Sequence, residues 1–322
     1  MTIWGESHGP MVGITIDGCP PGISVEPEDF KTDLDRRRGG VLEGTTARKE
    51  SDEPVCLSGV FNQHTTGAPL TIAFYNKDVR SADYLPMTSV HRPGHADFVA
   101  QKKFRGFQDY RGSGHFSGRL TVALVAAGVI AKKIIQRAYP DLQIEAKLIQ
   151  AGGSSDIEAA IKKAITEQDS IGGIIECKSS NIPVGLGEPF FYSLESAISM
   201  LAFSIPAIKG IEFGSGFQAA QMHGSVHNDS ILNEAGITQT NHSGGINGGI
   251  SNGNQLVYRI AVKPTSSTPQ IQTTYNQQTG QTEPFMVKGR HDLCIALRVP
   301  VVVEAITAIA LADFILLEQA RK

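Results

Sequence analysis

A fold of the α+β class is what this sequence predicts, and three observations predict it. The run Leu120 to Ile135 is long enough for a helix and apolar nearly all round, so it belongs inside a sandwich rather than on a surface. Strand patterns around Val55 to Phe61 and Leu70 to Tyr75 lie close enough to be joined by a hairpin through His64-Thr65-Thr66-Gly67. A third strand, Gln255 to Val262, is apolar on both faces, as an interior strand is. The chain has 322 residues and 41% hydrophobic content, enough for a full core. No linker composition, low-complexity tract or repeat divides it, so residues 1–322 read as one domain.

In chain order, Val12 to Ile16 reads as a short strand and Cys19-Pro20-Pro21-Gly22 as a turn. Pro27-Glu28-Asp29 opens a helix with acids in its first turn; it runs through Leu34 to Arg36-Arg37-Arg38 and stops at Gly39-Gly40. The segment Tyr84 to Gly114 has little period and many Gly, Pro and functional side chains, which marks a long functional loop. Ser117 is placed to N-cap the apolar helix, which continues to about Tyr139. A strand from Gln143 to Gln150, a helix capped by Ser155 and running to Ala164, and a strand from Gly172 to Cys177 follow. Ser193 starts a helix that ends near Ile205, Met222 to Gln239 reads as a mobile loop, Ser266 to Glu283 as a polar excursion, and a last helix begins near Val301.

Charged residues make up 19% and the formal charge is −3, so no global basic field points to nucleic acid. Cys19, Cys56, Cys177 and Cys294 form no CxxC pair, which argues against a structural zinc or a disulfide framework and suits a reducing cytoplasm. The start of the chain has no basic or apolar leader pattern, so no signal peptide is expected. The run Val299 to Leu317 is interrupted by Glu304 and Asp313 and reads as a core helix, so no membrane partner is expected either.

Chemistry concentrates in a few places. Five glycines between residues 244 and 253 precede the interior strand, and Lys263-Pro264-Thr265-Ser266-Ser267 follows it. The second run is a set of phosphate donors or a plain solvated turn; it is not a Walker loop. His8 and His95 sit in glycine-flanked irregular turns and are candidates for acid–base work. Ser7 and His8 point opposite ways on an extended chain, and no GxSxG elbow exists, so a serine hydrolase is rejected. His8, His95, Asp97, His291 and Asp292 lack HxH or HExxH spacing, and no metal site is expected. Arg36, Arg37, Arg38, Arg48, Arg92, Arg111, Arg119 and Arg290, with Lys209 and Lys263, sit at element ends or beside glycines. In a net acidic protein that pattern fits a pocket for a small polyanion.

These segments resemble chorismate synthase over almost the whole chain: GESHG at 5–9, DLDRRR at 33–38, TTARKESD at 45–52, RPGHAD at 92–97, DYRGSGHFSGR at 109–119, IPAIKGIEFGSGF at 205–217, HSGGINGGISNG at 242–253, KPTSS at 263–267 and GRHDLC at 289–294. The resemblance implies a helical layer between two antiparallel sheets and a homotetramer in the cytoplasm. It implies conversion of 5-enolpyruvylshikimate 3-phosphate to chorismate, with reduced FMN required and NADPH open as its reductant. Substrate would be held by Arg37 and Arg48 with Arg111 and Arg119. FMN would be held by His115, Phe116, Ser117, Ala207, Gly248, Lys263, Pro264, Thr265, Ser266, Ser267 and Arg290. His8 resembles the acid for departing phosphate, His95 the group near flavin N1, and Asp292, with Ser7 and Ser117, the apparatus that removes the ring proton.

Three departures stand out. The family's RSSARE reads His115-Phe116-Ser117-Gly118-Arg119-Leu120, the proline after the three arginines is Gly39, and an arginine often found downstream is Glu43. The chain also starts almost at GESHG, which predicts no strand before it and a weaker sheet edge. A non-catalytic flavin-binding module and a metal-dependent phosphatase are the alternatives; retention of His8, His95 and Asp292 speaks against the first.

Overall fold

Alternation builds the first sheet. Val12, Ile14, Leu70, Ile72 and Phe74 are fully buried, and Met11–Ile16 pairs antiparallel with Leu70–Tyr75 so that Ile14 stands opposite Ile72. Val55–Ser58 adds to one side of that pair. Thr2–Gly5 adds to the other, from Thr2 opposite Thr15 to Gly5 opposite Val12, which corrects the expectation that no strand precedes GESHG. Ile3 and Trp4 are strong strand formers, and Trp4 lies over Gly13: a Cβ there would stand 2.3 Å from the indole. The computed structural model describes residues 1–40, 42–287, 289 and 291–321, without the side chains of residues 82, 83 and 86.

The second sheet is also antiparallel, in the order Gln143–Ala151, Gly173–Ser180, Leu256–Val262, Ile208–Phe213. Leu256, Tyr258, Ile260 and Val262 are buried, as the alternation predicts, and the strand is interior to its sheet. Its other face is wetter than its composition suggests, because Arg259 pairs there with Glu176 and Glu212. One face packs on the core and one meets water, the usual state of an antiparallel sheet.

Between the sheets lie Thr121–Ala138 and Pro300–Arg321. The first packs on Met11–Ile16 and Leu70–Tyr75, the second on Gln143–Ala151 and Gly173–Ser180. They cross in tight contact at Gly128, where a Cβ would come within 2.3 Å of the Ala305 Cβ. Pro300–Arg321 is long and apolar enough to cross a membrane, but 78% of its most apolar stretch is buried inside the fold. Pro27–Arg37 completes the layer with proline in its first turn, Asp29 closing a capping box onto Glu26, and Phe30 and Leu34 buried.

Several local expectations change. Asp156, not Ser155, caps Ile157–Glu167, accepting from the Ala159 N–H. Ser117 caps a 3-10 turn, Gly118–Leu120, that leads into the apolar helix. The irregular stretch contains a helix, Asp97–Lys103, and the polar excursion contains a hairpin, Gln272–Asn276 with Gln281–Phe285. The loop after Met222 holds a short helix, Gly224–His227, and a backbone knot in which Asp229 accepts from the N–H groups of His242 and Ser243.

Candidate active site

One central helix begins at a cavity of about 570 Å³, which is also bordered by the turn leading into the other. Thr121 and Leu124 come from the start of one helix, and Ile295 and Arg298 immediately precede the other. The volume lies within the roughly 300–1,000 Å³ of small-molecule sites. Among the described residues, seven Arg and Lys side chains line it against three carboxylates, a strongly cationic hollow in a chain whose formal charge is −3.

Asp52 organises one wall. It takes Arg37 on one oxygen, at 3.0 Å, and Arg119 on the other. Arg37 also donates to Thr121 Oγ1 and to the carbonyls of Gly118 and Arg119, four hydrogen bonds in all. Burial pushes its guanidinium down to about 9, with Asp52 opposing and Arg298, Arg119 and Arg48 pushing the same way, so it remains a cation at neutral pH. Arg119 spends its other donors on Asn76 and the Tyr75 carbonyl. The two arginines border the cavity, but most of their donors tie the helix, the 45–52 loop and the 118–120 turn together.

Arg48 forks onto Ser7, donating to its Oγ at 2.8 Å and to its carbonyl at 3.0 Å, and pairs with Glu50. Ser7 is fully buried. His8 stands just behind the lining: its ring meets the edge of Tyr84 at 5.3 Å, and Nδ1 is 3.1 Å from Ser81 Oγ. The ring lies against Gly112, where a Cβ would come within 2.3 Å of it, so that position tolerates only glycine. Burial lowers the His8 pKa, Arg48 lowers it further, and Asp109 opposes.

On the facing wall, Arg92 donates to Asp97, Ser267 and Ser113, while His95 Nδ1 donates to Asp97 Oδ1 at 2.7 Å and lies 3.0 Å from Arg92 Nη2. Burial lowers the His95 pKa against the pull of Asp97. Burial alone would raise Asp97, but its bonds from Arg92 and His95 hold it well below the usual carboxylate range. Lys263, Thr265, Ser266 and Ser267 line the same wall, and Ser266 Oγ donates to the Gly94 carbonyl. Burial and Lys209 lower the Lys263 pKa. Thr265 Oγ1 is buried without a partner among the described residues.

Asp292 closes the floor, accepting from the Thr46 N–H at 2.9 Å and from Arg298 at 3.2 Å. His115, Phe116, Ser117 and Ala207 also line the cavity; Ser117 Oγ accepts from the Arg119 N–H, and His115 Nδ1 faces the Gly5 carbonyl. Among the described residues, five predicted ones are not in the lining: Ser7 and His8, which stand behind it, and Arg111, Pro264 and Gly248. Arg111 is turned to solvent and paired with Asp109. Pro264 lies between lining neighbours. Gly248 sits in the turn between Ile246–Asn247 and Ile250–Ser251, with open space where its side chain would be, whereas Gly244, Gly245 and Gly249 press against other backbone. Arg290 lies outside the described residues. Glu43 is exposed on the outside of the molecule. Asp52, Glu50, Gly112 and Arg298 were not singled out from the sequence. Only Asp52 and Glu50 had a signal, as the sole carboxylates of a motif rich in basic residues.

Residues 1–316 match the protein family described as Chorismate synthase. The chain is 60% identical to the chorismate synthase of Chitinophaga pinensis over 319 residues, covering 99% of this chain and 95% of the relative. It is 42% identical to that of Thermococcus gammatolerans over 343 residues, covering 99% and 96%. A solved structure titled "Crystal Structure of Chorismate Synthase" superposes with a TM-score of 0.73 at 24% identity, over 98% of this chain and 91% of that one.

Proposed function

This chain belongs to the chorismate synthase family, and from that premise we propose that its cationic cavity binds reduced FMN beside 5-enolpyruvylshikimate 3-phosphate. The family's reaction is a lyase reaction: phosphate and a ring hydrogen leave by anti-1,4-elimination, giving chorismate with no net redox change. The observation that carries the site assignment is convergence. His95, Asp292 and the Lys263–Ser267 run come from distant segments and border one hollow with an excess of cations.

The residues present fit a flavin mononucleotide. The Thr265 hydroxyl, without a partner among the described residues, forms a donor set for its phosphate with Ser266, Ser267 and Lys263; Pro264 stands within that run, and Arg290 is assigned to it from the resemblance alone. Ala207, His115, Phe116 and Ser117 offer backbone and ring contacts, and Gly248 an unobstructed backbone. When bound, reduced flavin supplies the electron density that weakens the carbon–oxygen bond.

The protein's own groups handle charge and protons. Arg48, Arg37 and Arg119 in the wall, with Arg111 assigned from the resemblance, provide the field for two carboxylates and a phosphate. His8 delivers the proton to departing phosphate; burial and Arg48 lower its pKa, and a dianion beside it raises it again. His95, fixed through Nδ1 by Asp97, donates from its other nitrogen only as the imidazolium, a form that anionic reduced flavin near that nitrogen would favour. Asp292, with Ser7 and Ser117 nearby, accepts the ring proton. We also assign a homotetramer, supported by Phe190 and Phe191 at 86% and 98% exposure, a single folding unit over 1–322, and a cytoplasmic location.

Anaerobic incubation with substrate and reduced FMN, with and without chelator, tests this reading: chorismate forms only with reduced flavin, and chelator changes nothing. Phosphate release in oxidised buffer without flavin overturns it in favour of a phosphatase. His8→Ala is expected to slow turnover ~10²–10⁴-fold, and an unchanged rate removes His8 from the mechanism. NADPH oxidation with oxidised FMN shows whether the chain reduces its own flavin.

A further inference from the structure

The arginines around the cavity differ in how far their donors are already spent. A guanidinium has five N–H donors. Arg37 makes four hydrogen bonds, Arg48 forks onto both Ser7 and Glu50, and Arg92 bonds Asp97, Ser267 and Ser113. Among the described residues Arg298 makes one, from Nη2 to Asp292 at 3.2 Å. Its Nε is buried without a partner among the described residues, although the side chain lines the cavity and is only 13% exposed. A buried cationic donor left unpaired is costly, and an anion oxygen relieves that cost.

The turn opposite is shaped to admit this side chain. A Cβ at Gly39 would stand 2.9 Å from Arg298 Nη1 and 2.6 Å from Thr46 Cγ2, so only glycine leaves the guanidinium its present place. Arg38, next in the chain, also buries an Nε without a partner among the described residues. Arg38 spends its terminal nitrogens on the Ser51 carbonyl and Asp35, so beside Gly39, at the end of the cavity closed by Asp292, Arg298 is the guanidinium with more donors left to a ligand.

We propose that Arg298 is an anion-binding residue of this cavity, anchored at one end by Asp292 and taking a carboxylate or phosphate oxygen of the bound ligand at the other. The inference rests on the cavity being the flavin and substrate site. It adds a contact that the sequence motifs do not mark, and it couples ligand charge to the placement of Asp292.

Binding measured without turnover tests it. Arg298→Met and Arg298→Lys are titrated calorimetrically with oxidised FMN and, separately, with 5-enolpyruvylshikimate 3-phosphate, and melting temperatures are recorded. Arg298→Met is expected to lose about 10- to 100-fold in affinity for one of the two, with Lys recovering part. Loss for the substrate places one of its anionic groups on Arg298; loss for FMN places the flavin phosphate there. Gly39→Ala, which crowds Nη1, is expected to weaken the same ligand by a smaller factor, and it carries the test together with Arg298→Lys if the Met variant does not fold. Wild-type affinity for both ligands in these variants overturns the inference and reduces Arg298 to positioning Asp292, visible only in kcat and its pH profile. A wild-type protein that binds neither ligand overturns the site reading as well.

Discussion

Arg36 and Arg37 leave one helical turn in different directions, and each ends on a buried carboxylate. Arg36 forks onto Glu304, both bonds at 2.7 Å, within the helix layer, where Lys132 and the Ala146 N–H complete the set. Arg37 ends on Asp52 in the cavity wall, where Arg119 completes it. The first arginine keeps 42% of its side chain in water, and its bonds to Glu304 raise its pKa. The second keeps 5%, and burial lowers its pKa. Neighbours in sequence thus serve different ends: one fastens the layers where water still screens it, and the other holds the site's wall where nothing does. A charge pair open to solvent contributes little and is lost cheaply, whereas removing one member of a closed pair leaves a charge stranded.

The largest effect should come from Asp52→Ala, which strands both Arg37 and Arg119. A loss of about 3–5 kcal/mol is expected in urea unfolding, together with loss of substrate binding. Wild-type stability in that variant would break the contrast. Glu304→Ala should cost less, about 1–3 kcal/mol, because Arg36 can be hydrated, and it should leave ligand affinity unchanged. If affinity falls as well, the two carboxylates are not separate in role.

The acid limb of stability sharpens the same point. Burial would raise the Glu304 pKa, but Arg36, Lys132 and the Ala146 N–H bring it below its ordinary value of 4.5. A depressed carboxylate stabilises the fold above its unfolded pKa and stops doing so as pH falls through the folded one. Stability is therefore expected to hold from neutrality to about pH 4.5 and then decline, with Glu304→Gln flattening the decline in denaturant melts. The smallest effect should be Arg36→Lys, at most about 1 kcal/mol with turnover unchanged, since a half-exposed pair gains little from the fork.

Much of the frame was legible from residue order. Pro27 with its following acids, the all-round apolar run ending in Ala138, and the alternation of Leu256 to Val262 are local signals, and the structure keeps each. The short helix Asp97–Lys103 was not legible, because its N-cap is Ala96 and no capping side chain announces it. The 272–285 hairpin is polar on both faces and gives no period to read. In the site, histidines and the Lys263 run stood out because glycine, proline and hydroxyl residues flank them. Asp52 and Arg298 did not, since one is defined by a partner 67 residues away and the other by an Nε without a partner among the described residues.

The start of Thr121–Ala138 at the cavity has a consequence of its own. A long helix carries a macrodipole worth roughly half a positive charge at its first turn, and here that turn, with Thr121 and Leu124, lines the hollow. The backbone itself therefore adds to the pull on an anion, from peptide groups that cannot be mutated away. Variants that strip side-chain cations one at a time should retain a residual, salt-sensitive hold on phosphate that ends only when that helix unravels.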